Sequence, residues 1–257
     1  MLEYVFQKYF DASEAKETLT FYLSDISEGY RKLGIAEPAS ISNTILDLCR
    51  KKGSIDSRVP PSISALGYDL KKRTGSGSDG NYAGEFVYVG VGKQLQSWLD
   101  WPAHPEAIEV DSSTIPALAR KLVRKDEAGL FSVLDYLDVL TKVMGHAVHR
   151  VQNPMKWQPN EIDGFYTATI DGEVFIYPVE AKALTTGDDI NLDQMDGGFR
   201  TVITKLDKMD IKADVQQIAV RMIKNGIDIA IFPVNLAPVE PDRYVRVSFS
   251  PVIENWK

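Results

Sequence analysis

The sequence predicts an α/β protein in two parts. One is a mainly helical N-terminal region over residues 1–125, and the other is a mixed central sheet flanked by helices over residues 126–257. Three stretches of the second part carry this prediction. Residues 161–183 read as a β-hairpin, residues 130–149 carry apolar side chains at helical spacing, and residues 227–234 form an apolar run typical of a buried strand.

Residues 161–183 contain two runs of β-branched and aromatic residues on either side of Asp171-Gly172, a sequence that favours a two-residue type I′ turn. If this turn sets the register, Asp163 lies directly opposite Glu180, and Glu161 lies opposite Lys182. Because side chains along a strand alternate between the two faces, all four charged residues are expected on one face of the hairpin.

The second strand of this hairpin is apolar on both faces over residues 174–179, which is typical of a central, covered strand. Two carboxylates facing each other, as predicted for Asp163 and Glu180, destabilise such a strand unless a cation lies between them. Mg²⁺ is commonly held by one or two carboxylates together with substrate phosphates. The alternative is a surface hairpin in which Glu161 and Lys182 form an ordinary ion pair.

Asp163, followed 17 residues later by Glu180-Ala181-Lys182, resembles the signature of the PD-(D/E)XK nuclease superfamily, although Ile162 stands where that signature has proline. The resemblance implies a restriction-endonuclease-like core in which Asp163 and Glu180 bind the catalytic Mg²⁺, or Mn²⁺ in its place. It implies that Lys182 positions or activates the attacking water.

The function that this resemblance implies is a Mg²⁺-dependent endonuclease acting on double-stranded DNA, with a homodimeric type II restriction endonuclease as the first expectation. Repair, phage and transposon nucleases share the same core and remain alternatives. A DNA-binding protein that kept the fold and lost the chemistry is a further alternative, which the intact Asp163, Glu180 and Lys182 disfavour.

Further candidate residues of the site follow from the hairpin register and from the resemblance. Glu161 is a candidate partner or additional metal ligand. The resemblance implies an acidic residue from the first core helix, predicted over 130–149, and a glutamine from a helix predicted over 212–225. The candidate acids are Asp135 and Asp138, and the candidate glutamines are Gln217 and Gln216, with Gln194 in a predicted Asp/Gly-rich loop over 185–200 as an alternative.

Connections between these elements follow from the same patterns. Asn225-Gly226 is a good C-cap for the helix predicted over 212–225, and the strand predicted over 227–234 would then lie parallel to its neighbour after a crossover.

In the N-terminal region, helices are predicted over about 13–33 and 40–52, and they indicate a winged-helix-like DNA-recognition unit or a plain helical packing layer. In the first case Ser42, Asn43 and Arg50 would lie on the recognition helix. Clustered basic residues on an acidic chain are plausible phosphate contacts, although a solvated face explains them equally well. The candidate DNA contacts are Arg50, Lys51, Lys52, Lys71, Lys72, Arg73 and Lys156.

Composition limits the remaining classes. The net charge of −7 argues against indiscriminate coating of DNA, and the Gly/Ser-rich residues 74–84 lack the Lys-Ser/Thr ending of a P-loop, so no nucleotide cofactor is expected. The single Cys49, the absence of any run of 18 apolar residues and the lack of a signal-peptide pattern predict a cytoplasmic protein without membrane contact.

The spacing of His146 and His149 predicts neighbouring positions on one helix face, a geometry able to bind a transition metal. No further ligand at suitable spacing completes such a site, so a partly buried or substrate-facing pair is the favoured interpretation.

Overall fold

The computed structural model describes residues 1–14, 16–49, 59–73, 76–77, 79–91, 98–158, 160–184 and 189–256. They form two compact units, Met1–Ser97 and Trp98–Lys257. The division therefore falls earlier than the predicted boundary after residue 125, because a strand over Glu106–Asp111 is hydrogen-bonded into the sheet of the second unit.

The described residues of the first unit include a four-stranded antiparallel sheet beside four helices, so this region contains more strand than predicted. Its elements are α1 (Leu2–Tyr9), β1 (Thr18–Tyr22), α2 (Leu23–Leu33), α3 (Ile41–Cys49), α4 (Pro61–Ser64), β2 (Tyr68–Lys72), β3 (Ser76–Gly77) and β4 (Gly80–Tyr88). The strand order is β1-β4-β2, with β3 also paired to β4.

Strand β1 occupies part of the helix predicted over 13–33. Its sequence, Thr-Leu-Thr-Phe-Tyr, is β-branched and aromatic, and it pairs with β4 over a core in which Leu19 and Phe21 are buried. Helix α2 begins only at Leu23, where the Asp25 carboxylate accepts a hydrogen bond of 2.7 Å from the Tyr22 backbone N–H. The predicted helix over 40–52 is present as α3, and Arg50, Lys51 and Lys52 lie outside the described residues.

The second unit is a mixed α/β structure with a mixed central sheet flanked by helices, as predicted. Its elements are β5 (Glu106–Asp111), α5 (Ala117–Leu122), α6 (Glu127–Tyr136), α7 (Val139–Met144), β6 (His149–Gln152), β7 (Gly164–Ile170), β8 (Glu173–Lys182), α8 (Leu192–Lys208), β9 (Asp214–Val215), β10 (Ile218–Ile223), β11 (Gly226–Ile231), β12 (Arg243–Ser250) and a 3-10 turn (Glu254–Trp256). No helix in the described ranges is long and apolar enough to cross a membrane.

The sheet of the second unit has the order β5-β12-β11-β10-β8-β7-β6, with β9 paired to β8. Helices α6 and α7 pack on one face, where Leu130, Leu134 and Val143 meet Tyr177 and Val220. Helix α8 packs on the other face through apolar residues at positions 195, 199, 202 and 206. Strand β8 therefore lies in the middle of the sheet and is covered on both faces, as predicted.

The hairpin turn and register predicted for β7 and β8 are confirmed. Asp171 and Gly172 have φ values of 52° and 89°, as a type I′ turn requires. The ladder runs in the predicted register from the Ile170–Glu173 pair to the Gly164–Val179 pair. Strand β8 also contains Pro178, whose missing N–H is tolerated because the neighbouring chain is unpaired between the end of β9 and the start of β10.

The helix predicted over 212–225 is wrong, since this stretch contains β9 and β10. The true helix is α8, in the stretch predicted as an Asp/Gly-rich loop. It begins at Asn191, whose side chain accepts a 3.0 Å hydrogen bond from the Gln194 backbone N–H. Helix α8 leads from β8 to the parallel β10, whereas β11 is antiparallel to β10, so the predicted parallel strand over 227–234 is also wrong in direction.

The helix predicted over 130–149 is two helices, α6 and α7, separated at Asp138, which has a φ of 48°. The chain then enters β6 at His149, so His146 and His149 do not share a helix face. The His146 Nε2 lies 2.8 Å from the Tyr177 hydroxyl, which accounts for this histidine as the partner of a buried tyrosine.

Candidate active site

Asp163 lies at the point where the chain leaves the hairpin ladder. The register would place Ile162 opposite Ala181, but Ile162 instead exchanges two backbone hydrogen bonds of 2.8 and 3.0 Å with Met155. The Ala181 N–H, which does not meet the Ile162 carbonyl, donates instead to the Asp163 Oδ2 at 2.9 Å. The carboxylate of Asp163 thus replaces a ladder carbonyl, and this hydrogen bond fixes it beside the end of β8.

Glu180 is the most deeply buried acid of the site, with 7% of the residue exposed. Its Oε1 lies 2.5 Å from the Lys182 Nζ. Burial raises the pKa of Glu180 to about 8, and the neighbouring Asp163 adds to the rise. Burial also raises the pKa of Asp163, although the nearby Lys182 and the hydrogen bond from the Ala181 N–H act in the opposite direction. The charge of Asp163 therefore acts on Glu180, in agreement with the predicted placement of the two carboxyl groups opposite each other.

Lys182 supplies positive charge at this position. Burial by itself would lower the pKa of its amine, but the nearby Glu180 and Asp163 outweigh burial and raise the pKa above its ordinary value. The amine is therefore a cation at neutral pH, held against the carboxyl group of Glu180.

Glu127, in the first turn of α6, is a fourth member that the sequence analysis missed. Burial raises its pKa, and the nearby Asp163 raises it further, while Lys182 lowers it. Helix α6 reaches this position because Gly164 has no side chain: a Cβ there would lie 2.4 Å from the Phe131 Cε1. Phe131 follows Glu127 by one helical turn on the same face, so this close approach brings Glu127 toward the start of β7.

The two acids predicted from this helical stretch lie elsewhere. The Asp135 Oδ1 accepts a hydrogen bond of 2.8 Å from the Tyr166 hydroxyl, and its Oδ2 lies 2.6 Å from the Arg150 guanidinium. Asp138 occupies the left-handed position between α6 and α7. The sequence signal that indicates Glu127 instead is the start of α6, where the Asp126 side chain caps the Gly129 N–H.

Glu161 does not face Lys182, because the chain has left the β8 ladder before it reaches this residue. Its side chain is exposed, and its charge is one of the smaller influences that raise the pKa of Asp163. The predicted cross-strand pairing of Glu161 with Lys182 is therefore wrong, and Glu161 lies at the margin of the site.

The candidate glutamines do not lie on the predicted helix. Gln217 is buried between β9 and β10, and its Nε2 donates to the Met195 carbonyl at 2.6 Å, while its Oε1 has no hydrogen-bond partner among the described residues. The Gln216 Nε2 donates to the Phe232 carbonyl at 2.9 Å. Gln194 lies in the first turn of α8. The Gln217 side chain thus attaches α8 to the sheet.

The candidate DNA contacts that the structure describes belong to both units. Lys71, Lys72 and Arg73 belong to the first unit, where the Arg73 guanidinium pairs with Glu85 and stacks 4.2 Å from the ring centre of Tyr82. Lys156 is exposed in the second unit.

Trp157, next to Lys156, packs edge-on against Phe165 with 5.2 Å between ring centres. This contact gives Trp157 a packing role beside the hairpin.

Carboxyl oxygens are the type of donor that Mg²⁺ prefers. Asp163, Glu180 and Glu127 are carboxyl groups with raised pKa values, and Lys182 is the cation among them, so full ionisation leaves excess negative charge in a poorly solvated place. Within the ranges that the structure describes, no three Asp, Glu, His or Cys side chains converge closely enough to form a complete metal-binding group. The site therefore fits a cation that takes one or two carboxylates and completes its shell with water or phosphate.

No family model, curated protein or solved structure matches this chain. The site therefore consists of the buried carboxyl group of Glu180 and the half-buried one of Asp163 at the end of a central strand, with a protonated lysine beside them and a third carboxyl group on the flanking helix.

Proposed function

We propose that this protein is a Mg²⁺-dependent endonuclease that hydrolyses phosphodiester bonds of double-stranded DNA. The observation that carries the proposal is the arrangement of Asp163, Glu180 and Lys182, in which a backbone N–H fixes the first carboxylate and the lysine contacts the second. The PD-(D/E)XK signature and the helix–hairpin–helix–strand order of the second unit support a restriction-endonuclease-like core.

Energetic considerations support a cation at this position. Burying a carboxylate is costly, and burial together with the nearby Asp163 raises the pKa of Glu180 even though Lys182 is in contact with it. Asp163 and Glu180 would hold Mg²⁺, and Glu127 would hold it directly or through water. The chemistry that Mg²⁺ supplies when bound is polarisation of a phosphoryl oxygen and acidification of water.

Each protein group has a defined role in this mechanism. The Ala181 N–H orients Asp163 by holding its Oδ2 at 2.9 Å. Lys182 is protonated in the resting protein, so it orients the attacking water and offsets the charge that develops on the phosphate. Its protonated state argues against Lys182 as the general base.

Within this class, a type II restriction endonuclease acting as a homodimer is the first proposal, because two copies of one site are needed to cut both strands. Repair, phage and transposon nucleases are alternatives with the same chemistry. A non-catalytic DNA-binding protein is the alternative from another class.

The deciding experiment is incubation of plasmid DNA with the protein and Mg²⁺, with and without chelator. We expect Mg²⁺-dependent cleavage by the unmodified protein and by Lys208→Ala, a control that removes an exposed lysine from the last turn of α8. We expect no cleavage by Lys182→Ala.

Discrete fragments would support restriction, and a smear would support a nonspecific nuclease. DNA binding by the unmodified protein without any cleavage would favour the non-catalytic alternative. Cleavage by Lys182→Ala at the unmodified rate would remove the assignment of this site.

A further inference from the structure

Four charged residues form a straight row across the sheet of the second unit. Lys182 of β8 is in register with Arg221 of β10, Arg221 with Asp228 of β11, and Asp228 with Arg246 of β12. Neighbouring strands are about 4.8 Å apart, so the row extends roughly 15 Å from the lysine of the candidate active site. We call these four residues the charged row.

The charged row lies on the same face of the sheet as Glu180. Side chains of a strand alternate between faces, and the residues adjacent to the row, such as Val220, Ile229 and Val245, belong to the apolar core on the opposite face. The row is therefore continuous with the carboxyl group of Glu180, two residues before Lys182 on β8.

Asp228 joins the two arginines of the row. Its side chain is 2% exposed, and its Oδ1 accepts a 2.7 Å hydrogen bond from the Arg246 Nε. Its Oδ2 accepts hydrogen bonds of 3.0 Å from the Arg246 Nη2 and 3.0 Å from the Arg221 Nη2. Both carboxylate oxygens are thus occupied, and the two guanidinium groups are held in fixed orientations.

Arg221 is fixed from a second direction as well. Its guanidinium carbon lies 4.4 Å from the ring centre of Trp101, and its Nη1 donates to the Asp189 Oδ2 at 3.1 Å. The Trp101 Nε1 in turn donates to the Asp189 Oδ1 at 2.9 Å. A cation held in this way loses little conformational entropy when it binds an anion.

The row opens to solvent beside the active-site lysine. A cleft of about 340 Å³ at the carboxyl ends of the parallel strands β8 and β10 is lined by Lys182, Leu184, Asp189, Arg221 and Lys224, among others. Crevices outside the carboxyl ends of parallel strands are common ligand sites in α/β sheets.

Arg246, at the far end of the row, retains a 39% exposed side chain. Its Nη1 makes no hydrogen bond within the described part of the chain.

We infer that the charged row binds the phosphate backbone of one DNA strand next to the scissile phosphate. Lys182 is paired with Glu180, Arg221 with Asp189 and Asp228, and Arg246 with Asp228. Because Glu180 belongs to the proposed metal site, the three cations then face the two carboxylates of Asp228 and Asp189, which leaves one positive charge in excess. Arginine presents a planar fork suited to phosphate, and consecutive phosphates of one strand advance about 3.4 Å along the helix axis, so the row is long enough to meet several of them.

This inference rests on the proposed function, since it gives the row a substrate that the adjacent site would cleave. In it, Arg221 and Arg246 contact phosphate, and Asp228 is a positioning residue that holds them. Arg221 is paired with both Asp189 and Asp228, whereas Arg246 has Asp228 as its acidic partner within the described residues and keeps a 39% exposed side chain.

The test is binding of a fluorescent DNA duplex, followed by anisotropy in chelator, so that no cleavage occurs. Arg246→Gln is compared with Arg243→Gln, a matched control on the same strand. The Arg243 side chain is 38% exposed and ion-paired with Glu106, but it lies on the opposite face of the sheet.

We expect Arg246→Gln to weaken binding and to reduce the slope of log affinity against log salt by about 1, because one phosphate contact is lost. When the salt concentration rises from about 50 to 200 mM, the affinity of the unmodified protein falls by a certain factor. The factor for Arg246→Gln should be roughly threefold smaller. We expect Arg243→Gln to leave the slope unchanged. Equal slopes for the two variants, whether both unchanged or both reduced, would overturn the inference.

If Arg246→Gln does not fold, the double variant Asp228→Asn with Arg246→Gln provides the same comparison. It retains the net charge of the protein and still offers Arg221 an acceptor, so an unchanged salt slope in this variant would also overturn the inference.

Failure of the inference and failure of the proposed function are distinguishable. A protein that does not cleave DNA but whose salt slope depends on Arg246 and not on Arg243 would refute the nuclease and retain the row as a DNA contact. A protein that cleaves DNA but has equal slopes for the two variants would do the reverse.

Discussion

The backbone N–H of Ala181 donates to the carboxylate of Asp163 at 2.9 Å, in the place that a carbonyl of the neighbouring strand would otherwise occupy. Asp163 therefore has two roles, one as the acceptor that closes the end of the hairpin and one as an acid of the candidate site. These roles make different demands on the side chain, so substitutions can separate them.

Asp163→Asn is expected to abolish Mg²⁺-dependent cleavage and to leave the fold stable, since an amide carbonyl can still accept the Ala181 N–H. Asp163→Ala is expected to abolish cleavage and also to lower the free energy of unfolding by about 1–3 kcal/mol, because a buried donor loses its partner. Urea denaturation and plasmid cleavage measure the two effects. If the alanine and asparagine variants are equally stable, the hydrogen bond does not hold the end of the hairpin.

Glu127→Gln is expected to raise the Mg²⁺ concentration needed for half-maximal cleavage by about 10- to 100-fold, the range typical of groups that support a metal site. The physical reason is the loss of a carboxylate whose pKa responds to Asp163 and Lys182. Asp138→Asn is the control, since it removes an acid that follows α6, at a left-handed position that asparagine tolerates. If both variants need the same Mg²⁺ concentration, Glu127 does not help to hold the metal.

The pH dependence of stability in metal-free protein reports on Glu180. In the unfolded chain this group ionises near its ordinary value of 4.5, whereas in the folded protein it keeps its proton up to about pH 8. The folded state therefore binds more protons in this interval, and the free energy of unfolding falls as the pH rises, by at most about 1.4 kcal/mol per pH unit.

Glu180→Gln cannot ionise and resembles the protonated carboxyl group in shape, so its stability should fall less steeply between pH 5 and about 8. Some slope remains, because the pKa of Asp163 is also raised. Urea denaturation in chelator at several pH values measures the difference between the variant and the unmodified protein. A constant difference across this range would mean that Glu180 ionises normally in the folded protein.

The hairpin was predictable because its information is local. Asp171-Gly172 requires two positive φ values, which fixes the turn, and alternation along the strands then fixes which side chains share a face. The predicted pairing was wrong beyond Gly164, where the chain no longer pairs with β8. The pairing of Ile162 with Met155 depends on a segment outside the hairpin, and it removed Glu161 from the position opposite Lys182.

Glu127 and the charged row were not predictable, because both depend on contacts between distant segments. The position of Glu127 follows from the contact between Phe131 and Gly164, and periodicity in α6 does not reveal which strand residue lies beneath it. The charged row can be predicted only if the register of four strands is known. One of these strands, β10, lies in a stretch whose sequence predicts a helix. Packing decided its conformation, with the alternate residues Ile218, Val220 and Met222 in the core.

Gly164→Ala tests the contact that brings α6 to the site. A Cβ at this position would lie 2.4 Å from the Phe131 Cε1 and 2.9 Å from its Cζ, so the ring and the helix must move. Overpacking of this kind typically costs about 1–3 kcal/mol. We expect a loss of stability of this size, accompanied by a higher Mg²⁺ requirement for cleavage as Glu127 moves away from Asp163.

Gly198→Ala is the matched control, because a Cβ there meets nothing nearer than 3.9 Å and alanine favours a helix by about 0.5–1 kcal/mol over glycine. It should be as stable as the unmodified protein or slightly more so. Adding Phe131→Leu to Gly164→Ala should restore part of the lost stability and of the Mg²⁺ response, since the smaller side chain leaves room for the new methyl group. If Gly164→Ala unfolds no more easily than Gly198→Ala and needs no more Mg²⁺, the close approach of Phe131 does not position Glu127.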